Sequence, residues 1–387
     1  MYRIGKLELD AVRKVIEKGK PFRYDGAGFC ETFERRYAKY LGVKNVIQTS
    51  SGTAALRAGL MGLGIGPGDE VLVPAHTYMS SAVAVLAVGA IPVIVDIDES
   101  LMIDPEAMAE AVGPRTRAVM PVHMWGLVCD MDAIMRVARR KRLLVVEDAC
   151  QGAGGSYKGK MVGAIGDVGA FSFNYYKHIT CGEGGAVVTG SDRVAERMQC
   201  AVDCCSFFWQ GRKSGFRGFA TDGSRASEFE GAVLAVQLSR LPGMIRTLRR
   251  QKKRIIRETS DVLTHIPYHD VEGDCGECVV FQFKTAELAK RFIEKAGGQL
   301  MSRTGRHNFW DWDPILRHEG AHHPAMNPYN MSANKKCRRS YPAGMCKRSV
   351  DIVSRSVKFG NHPDRKASEV TALIRKLRQA AKELSRT

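Results

Sequence analysis

The sequence predicts an α/β protein built on a mostly parallel sheet, followed by a smaller α+β unit. Three observations carry that reading. From about residue 40, strand-like apolar runs alternate with helix-like segments. After Leu238 the texture changes to long helices around a short apolar run. The length of 387 residues also exceeds one ordinary domain.

Residues 1–20 place charged and apolar side chains at helical spacing and lack the apolar block and small-residue cleavage site of a signal peptide. They read as an N-terminal helical segment, with cytoplasmic residence as the expectation. Residues 45–47, 70–73, 92–95, 118–122, 143–147, 170–173 and 185–189 read as strands, and 53–63, 81–88 and 131–140 as helices between them. Ligands of such sheets sit in loops beyond the carboxyl ends of the strands. The most apolar stretch, 82–95, is too short to span a bilayer and contains Pro92, so it reads as a helix followed by a buried strand. In the second unit, 241–263 reads as a long basic helix, 278–283 as a strand, and 286–296 and 367–384 as helices. The expected division is a large domain over 1–250 and a small one over 251–387.

Hydrophobic content of 44% with 26% charged residues excludes disorder and a membrane protein's composition. The net charge of +17 suits an anionic small molecule or nucleic acid, or simply solvated helix faces. No helix-turn-helix, zinc-finger or RNA-binding signature accompanies it, so no nucleic acid partner is expected. Among eleven cysteines, Cys275 and Cys278 form a C-x-x-C with no matching second pair. Reduced thiols, and no metal, are the expectation.

Three motifs fall at strand ends. In Thr49-Ser50-Ser51-Gly52-Thr53-Ala54-Ala55-Leu56 a strand gives way to hydroxyls, a glycine and a helix, which makes either a phosphate seat or an ordinary cap. Val145-Val146-Glu147-Asp148-Ala149-Cys150-Gln151 is a buried strand ending in carboxylates, suited to a metal, to acid–base work, to a protonated ring nitrogen, or to a structural role. Residues 163–186 carry Ser172 at a strand end and then Lys177 in an irregular, glycine-flanked stretch. A lysine is ordinarily a surface charge, but here a desolvated amine of lowered basicity would be able to form an imine.

Taken together, SSGTAAL, EDACQ, GDVGAFSFNYYKHITCGEGGAVVT and SEFEGAVLAVQLSRL resemble the DegT/DnrJ/EryC1/StrS family of sugar aminotransferases. The likeness is close over residues 20–250 and looser beyond. It implies the aspartate-aminotransferase fold (fold type I), with a seven-stranded sheet in the large domain, and the cofactor pyridoxal 5'-phosphate (PLP). By the same resemblance Lys177 is the Schiff-base residue and proton shuttle, and Asp148 keeps the pyridine nitrogen protonated. Gln151 would bond the phenolic oxygen. Gly52, Thr53 and Ser172 would bind the phosphate, and Tyr78 would lie against the ring. Family members commonly carry an asparagine where Gly223 stands, reaching the neighbouring subunit's cofactor phosphate; Ser224 or Arg225 is left to replace it.

Family acceptors are mostly nucleotide-linked keto sugars, with aminocyclitol and aromatic-precursor relatives. Phe22-Arg23-Tyr24, EDACQ, Gly154-Gly155-Ser156-Tyr157-Lys158-Gly159 and Asn308-Phe309-Trp310-Asp311-Trp312 resemble the 8-amino-3,8-dideoxy-octulosonate transaminases in particular. The resemblance implies glutamate or glutamine as donor, an anionic sugar as acceptor, and a homodimer. Arg23, His178, Asn308, Trp310 and His323 are the candidate substrate contacts. Sugar dehydratases of the same fold carry histidine in place of the Schiff-base lysine, and the presence of Lys177 disfavours that alternative. The intact set of Lys177, Asp148, Gln151 and Ser172 likewise argues against a non-catalytic, nucleic-acid-binding relative.

Overall fold

A computed structural model describes residues 4–24, 27–209 and 218–384. Its centre is a seven-stranded sheet of β1 (Asn45–Thr49), β2 (Glu70–Pro74), β3 (Ile91–Val95), β4 (Thr116–Val119), β5 (Leu144–Asp148), β6 (Val168–Ser172) and β7 (Gly185–Thr189). The strands lie in the order β1-β7-β6-β5-β4-β2-β3. β7 pairs antiparallel with both β1 and β6, whereas the pairs among β2 to β6 are parallel.

These strands read as unbroken apolar runs because both faces are covered. Leu72, Val119, Val145, Phe171 and Val188 face one core, while Val71, Val73, Ala118, Val146, Ala170 and Val187 face the other. Helices α1 (Lys6–Lys18) and α2 (Phe29–Leu41) precede the sheet. The helices α3 (Gly52–Gly62), α4 (Ser80–Ala87), α5 (Met131–Lys141) and α6 (Asp192–Val202) connect or follow its strands.

The long helix α7 runs over Glu228–Arg257, starting well before the 241–263 read from the sequence. A capping box between Ser227 and Glu230 fixes that earlier start, and the helix continues through Pro242 because Gly231, Ala232, Leu234, Leu238 and Leu241 bury one face. Beyond it, β8 (Cys278–Gln282), β9 (Gln299–Leu300) and β10 (Ser356–Gly360) form an antiparallel sheet in the order β8-β10-β9. It shares a separate core with α8 (Ala286–Ala296) and α9 (Ala367–Leu384). Between β9 and β10 the chain returns to the large sheet, where Phe309, Trp312, Ile315, Tyr329 and Cys337 join one of its two cores. Among the described residues no helix is long and apolar enough to cross a membrane.

Candidate active site

At the carboxyl ends of β1, β2, β5 and β6 lies a cavity of about 230 Å³, and Gly52, Thr53, Tyr78, Asp148, Gln151, Ser172 and Lys177 all line it. The tight approach of three chain segments builds it. Ser51 caps α3 by accepting the Ala54 N–H at 3.1 Å, which leaves the first turn of the helix pointing into the cavity. A Cβ on Gly52 would stand 2.8 Å from both Cys150 Sγ and Ser172 Cβ, and one on Gly185 would collide with the Ser51 carbonyl. Only glycines let the α3 turn lie this close to the ends of β5, β6 and β7.

Strand alternation separates the two adjacent carboxylates of β5. Glu147 points away from the cavity: it accepts the N–H groups of Gly163, Ile165 and Gly166 at 2.8, 2.6 and 2.6 Å and lies 3.0 Å from His123 Nε2. Its role is to hold the 163–166 loop. Asp148 turns into the cavity, where Oδ2 accepts the Ser81 hydroxyl at 2.7 Å and Oδ1 accepts the Cys150 N–H at 3.1 Å. Ser81 Oγ is in turn 2.7 Å from Thr77 Oγ1. Burial pushes the neighbouring Cys150 thiol well above its ordinary range, so that sulfur is a protonated, inert neighbour.

A second cavity of about 760 Å³ shares Tyr78, Gln151, Asn174 and Lys177 with the first and extends past Trp125, Tyr175, Tyr176, His178, Glu277 and His307. Lys177 therefore stands where the two meet. Trp125, in the left-handed region at φ 56°, donates its backbone N–H to Gln151 Oε1 at 3.1 Å, which leaves the Gln151 amide nitrogen to serve the cavity. The Trp125 indole N–H donates to His76 Nε2 at 3.2 Å, and His76 Nδ1 lies 2.8 Å from Asn308 Oδ1. Burial lowers the pKa of His76 to about 4, so the imidazole is neutral and bridges the two. The His307 ring stacks tilted on Trp125 at 4.6 Å and lies 5.3 Å from Tyr78.

Of the five candidate substrate contacts, His178 alone lines these cavities, with Nε2 3.4 Å from Glu277 Oε2. Arg23 is buried elsewhere, pairing with Glu34 at 2.8 Å and donating to the Gln48 carbonyl at 3.3 Å. Asn308 is fully buried, its amide donating to Met301 O and Thr304 Oγ1, both at 3.1 Å. Trp310 packs edge-on against Phe309, and exposed His323 caps the turn Pro324–Met326. Near Gly223, Arg225 pairs with Asp203 at 3.0 Å, and the buried Ser224 hydroxyl has no partner among the described residues while its carbonyl accepts the Ser50 N–H at 2.7 Å. Ser81, Trp125, Glu277 and His307 also line or support the site, although no sequence motif pointed to them. Only the small hydroxyl residues Ser80 and Ser81 after Tyr78 gave any local signal.

Residues 3–297 match the DegT/DnrJ/EryC1/StrS aminotransferase family. The chain belongs to this family. Among its relatives, GDP-perosamine synthase of Caulobacter vibrioides is 48% identical over 172 residues, 44% of this chain and 46% of that protein. L-glutamine:2-deoxy-scyllo-inosose aminotransferase of Streptomyces kanamyceticus is 35% identical over 317 residues, 77% of this chain and 73% of that protein. The chain spans about half the length of the first curated relatives it matches. Among solved structures, S. venezuelae DesV in complex with a ketimine intermediate aligns at 28% identity and a TM-score of 0.74, covering 97% of this chain and 94% of that one. The Bacillus subtilis protein ntda with bound cofactor PMP aligns at 25% identity and a TM-score of 0.75, covering 97% and 81%.

DegT/DnrJ/EryC1/StrS aminotransferases are PLP-dependent, and the residues present fit that group. A glycine cradle sits at a helix N-terminus for a phosphate. A carboxylate only 5% exposed is fixed by two donors for a ring N–H, and a half-buried lysine stands at the junction of the two cavities.

Proposed function

We propose that the chain is a PLP-dependent aminotransferase that moves an amino group from glutamate or glutamine to a keto or aldehyde sugar. The observation that carries this reading is the convergence of Gly52, Thr53, Tyr78, Asp148, Gln151, Ser172 and Lys177 on one cavity, with Lys177 facing a second, larger one. PLP, when bound, supplies the electron sink that a carbon acid needs. The chain's own residues do the rest. Lys177 Nζ would hold the cofactor and would carry the proton to and from the substrate carbon. Asp148, locked by Ser81 and the Cys150 N–H, holds the proton on the ring nitrogen. The α3 turn with Thr53 and Ser172 would hold the phosphate, Gln151 would serve the ring oxygen, and Tyr78 would cover the ring.

The larger cavity is walled by the rings of Tyr78, Trp125, Tyr175, Tyr176 and His307, whose faces suit the C–H faces of a sugar. Relatives named for a GDP-sugar and for a glutamine-dependent cyclitol reaction support the sugar class and the donor, and a charge of +17 supports an anionic acceptor. The same reading takes residues 1–250 as the large domain and 251–387 as the small one, with the segment from Phe309 to Cys337 reaching back onto the core of the large sheet, and the working enzyme as a cytoplasmic homodimer. Incubating the cofactor-loaded protein with glutamate tests it: release of 2-oxoglutarate with conversion of the cofactor to its amine form is expected. Absence of both events, with glutamate and with glutamine alike, would contradict it.

A further inference from the structure

His178 and Glu277 are the polar pair in the larger cavity that the cofactor chemistry does not use. His178 follows Lys177 directly and is only 2% exposed, yet among the described residues its Nε2 has no hydrogen-bond partner. Glu277, just before β8, is held from behind: its carbonyl accepts the Asn361 N–H at 2.6 Å, and its carboxylate lies against the Trp125–Gly126 turn, where a Cβ on Gly126 would come within 3.3 Å of Oε2. Its side chain is 20% exposed, and among the described residues the one group at ion-pair distance is His178 Nε2 at 3.4 Å, a contact without hydrogen-bond alignment. Burial lowers the basicity of His178, outweighing the opposing pull of Glu277, so a neutral imidazole faces a carboxylate.

An oxygen placed about 2.8 Å from each of two atoms 3.4 Å apart is at hydrogen-bond distance from both. The chemistry of the two atoms selects that oxygen. With the proton on Nε2, the tautomer that the facing carboxylate favours, the imidazole N–H donates to a hydroxyl, which in turn donates to the carboxylate. A carboxylate or phosphate of a ligand only accepts, and Glu277 repels it; an ammonium only donates, and leaves the imidazole N–H unpaired. We propose that His178 and Glu277 form a hydroxyl-binding subsite that selects acceptors carrying a hydroxyl beside the carbon that receives the amine. The subsite rests on the amino-transfer reading, because Lys177 defines the reacting carbon. It also assigns any anionic group of the acceptor to another part of the cavity.

The test titrates the cofactor-loaded protein with three amines, trans-2-aminocyclohexanol, its methyl ether and cyclohexylamine, each to its solubility limit, and reads the shift of the cofactor's absorption band. The aminoalcohol is expected to bind at least about tenfold more tightly than cyclohexylamine, with the ether, which cannot donate, near the latter. In Glu277→Gln and in His178→Phe that ratio falls toward one. A ratio near one in the unaltered protein, or an unchanged ratio in both variants, overturns the proposal. Because each ratio is taken within one protein, a general loss of stability does not imitate the result, and either variant suffices should the other lose its cofactor. A band that glutamate and glutamine both leave unchanged would refute amino transfer separately, since the amine ratios need no donor.

Discussion

Ser81→Ala removes one hydroxyl from behind the carboxylate that the account places against the cofactor ring. Ser81 is fully buried and Asp148 is 5% exposed, so no solvent replaces the 2.7 Å bond to Oδ2, and the Cys150 N–H is the remaining donor. A hydrogen bond to a charged group contributes about 1.5–3 kcal/mol, and if the loss is felt in the proton-transfer step the rate falls about 10- to 150-fold. The assay is the single-turnover conversion of the cofactor by saturating glutamate, measured after dialysis has confirmed that the cofactor is retained. Ser81→Thr, which keeps the hydroxyl, should recover most of the rate. Thr77→Val should lose little, because Thr77 touches Asp148 only through Ser81. A Ser81→Ala enzyme as fast as the parent, or a Ser81→Thr enzyme as slow as Ser81→Ala, would refute the positioning role.

His76 is held neutral, with its pKa lowered from 6.5 to about 4, so the unfolded chain binds the proton first. Its contribution of about 3 kcal/mol is complete above pH 6.5 and is lost as the pH falls toward 4. His76→Gln should therefore flatten the fall of Tm over that window, and a Tm profile parallel to the parent's would contradict this. Gly52→Ala pushes a methyl group against Cys150 and Ser172, and overpacking of about 1–3 kcal/mol should weaken cofactor binding about 5- to 150-fold on dialysis; unchanged affinity would count against the cradle. Arg23→Ala strands Glu34 in the interior, so urea unfolding should show a loss of about 3–5 kcal/mol. Normal stability with a raised KM would return Arg23 to the substrate.

Periodicity made the layers legible. The helices at 286–296 and 367–384 fall at the bounds read from the sequence, because each shows one apolar face without interruption. The start of α7 was hidden by Pro242, which argues locally against a helix that tertiary packing sustains. In the site, motifs at strand ends led to Asp148, Ser172, Gln151 and Gly52, since each sits within a few residues of a strand terminus and topology sends those termini to one place. Glu147 was separable from Asp148 by the two-residue period of a strand alone. Trp125, His307 and Glu277 were not legible, because three distant segments bring them together and none carries a local pattern. Arg23 and Asn308 are polar residues in notable settings, yet their partners Glu34 and His76 occupy them inside the core.

The proposed amino transfer requires that Lys177 bear the cofactor. Treating the cofactor-loaded protein with borohydride fixes a lysine–cofactor bond as a stable secondary amine, and peptide mass spectrometry then locates it. The pyridoxyl group is expected on the peptide containing Lys177 and is expected to be absent from a Lys177→Ala protein. A pyridoxyl group on another lysine, or none on a chain that holds the cofactor, would contradict it.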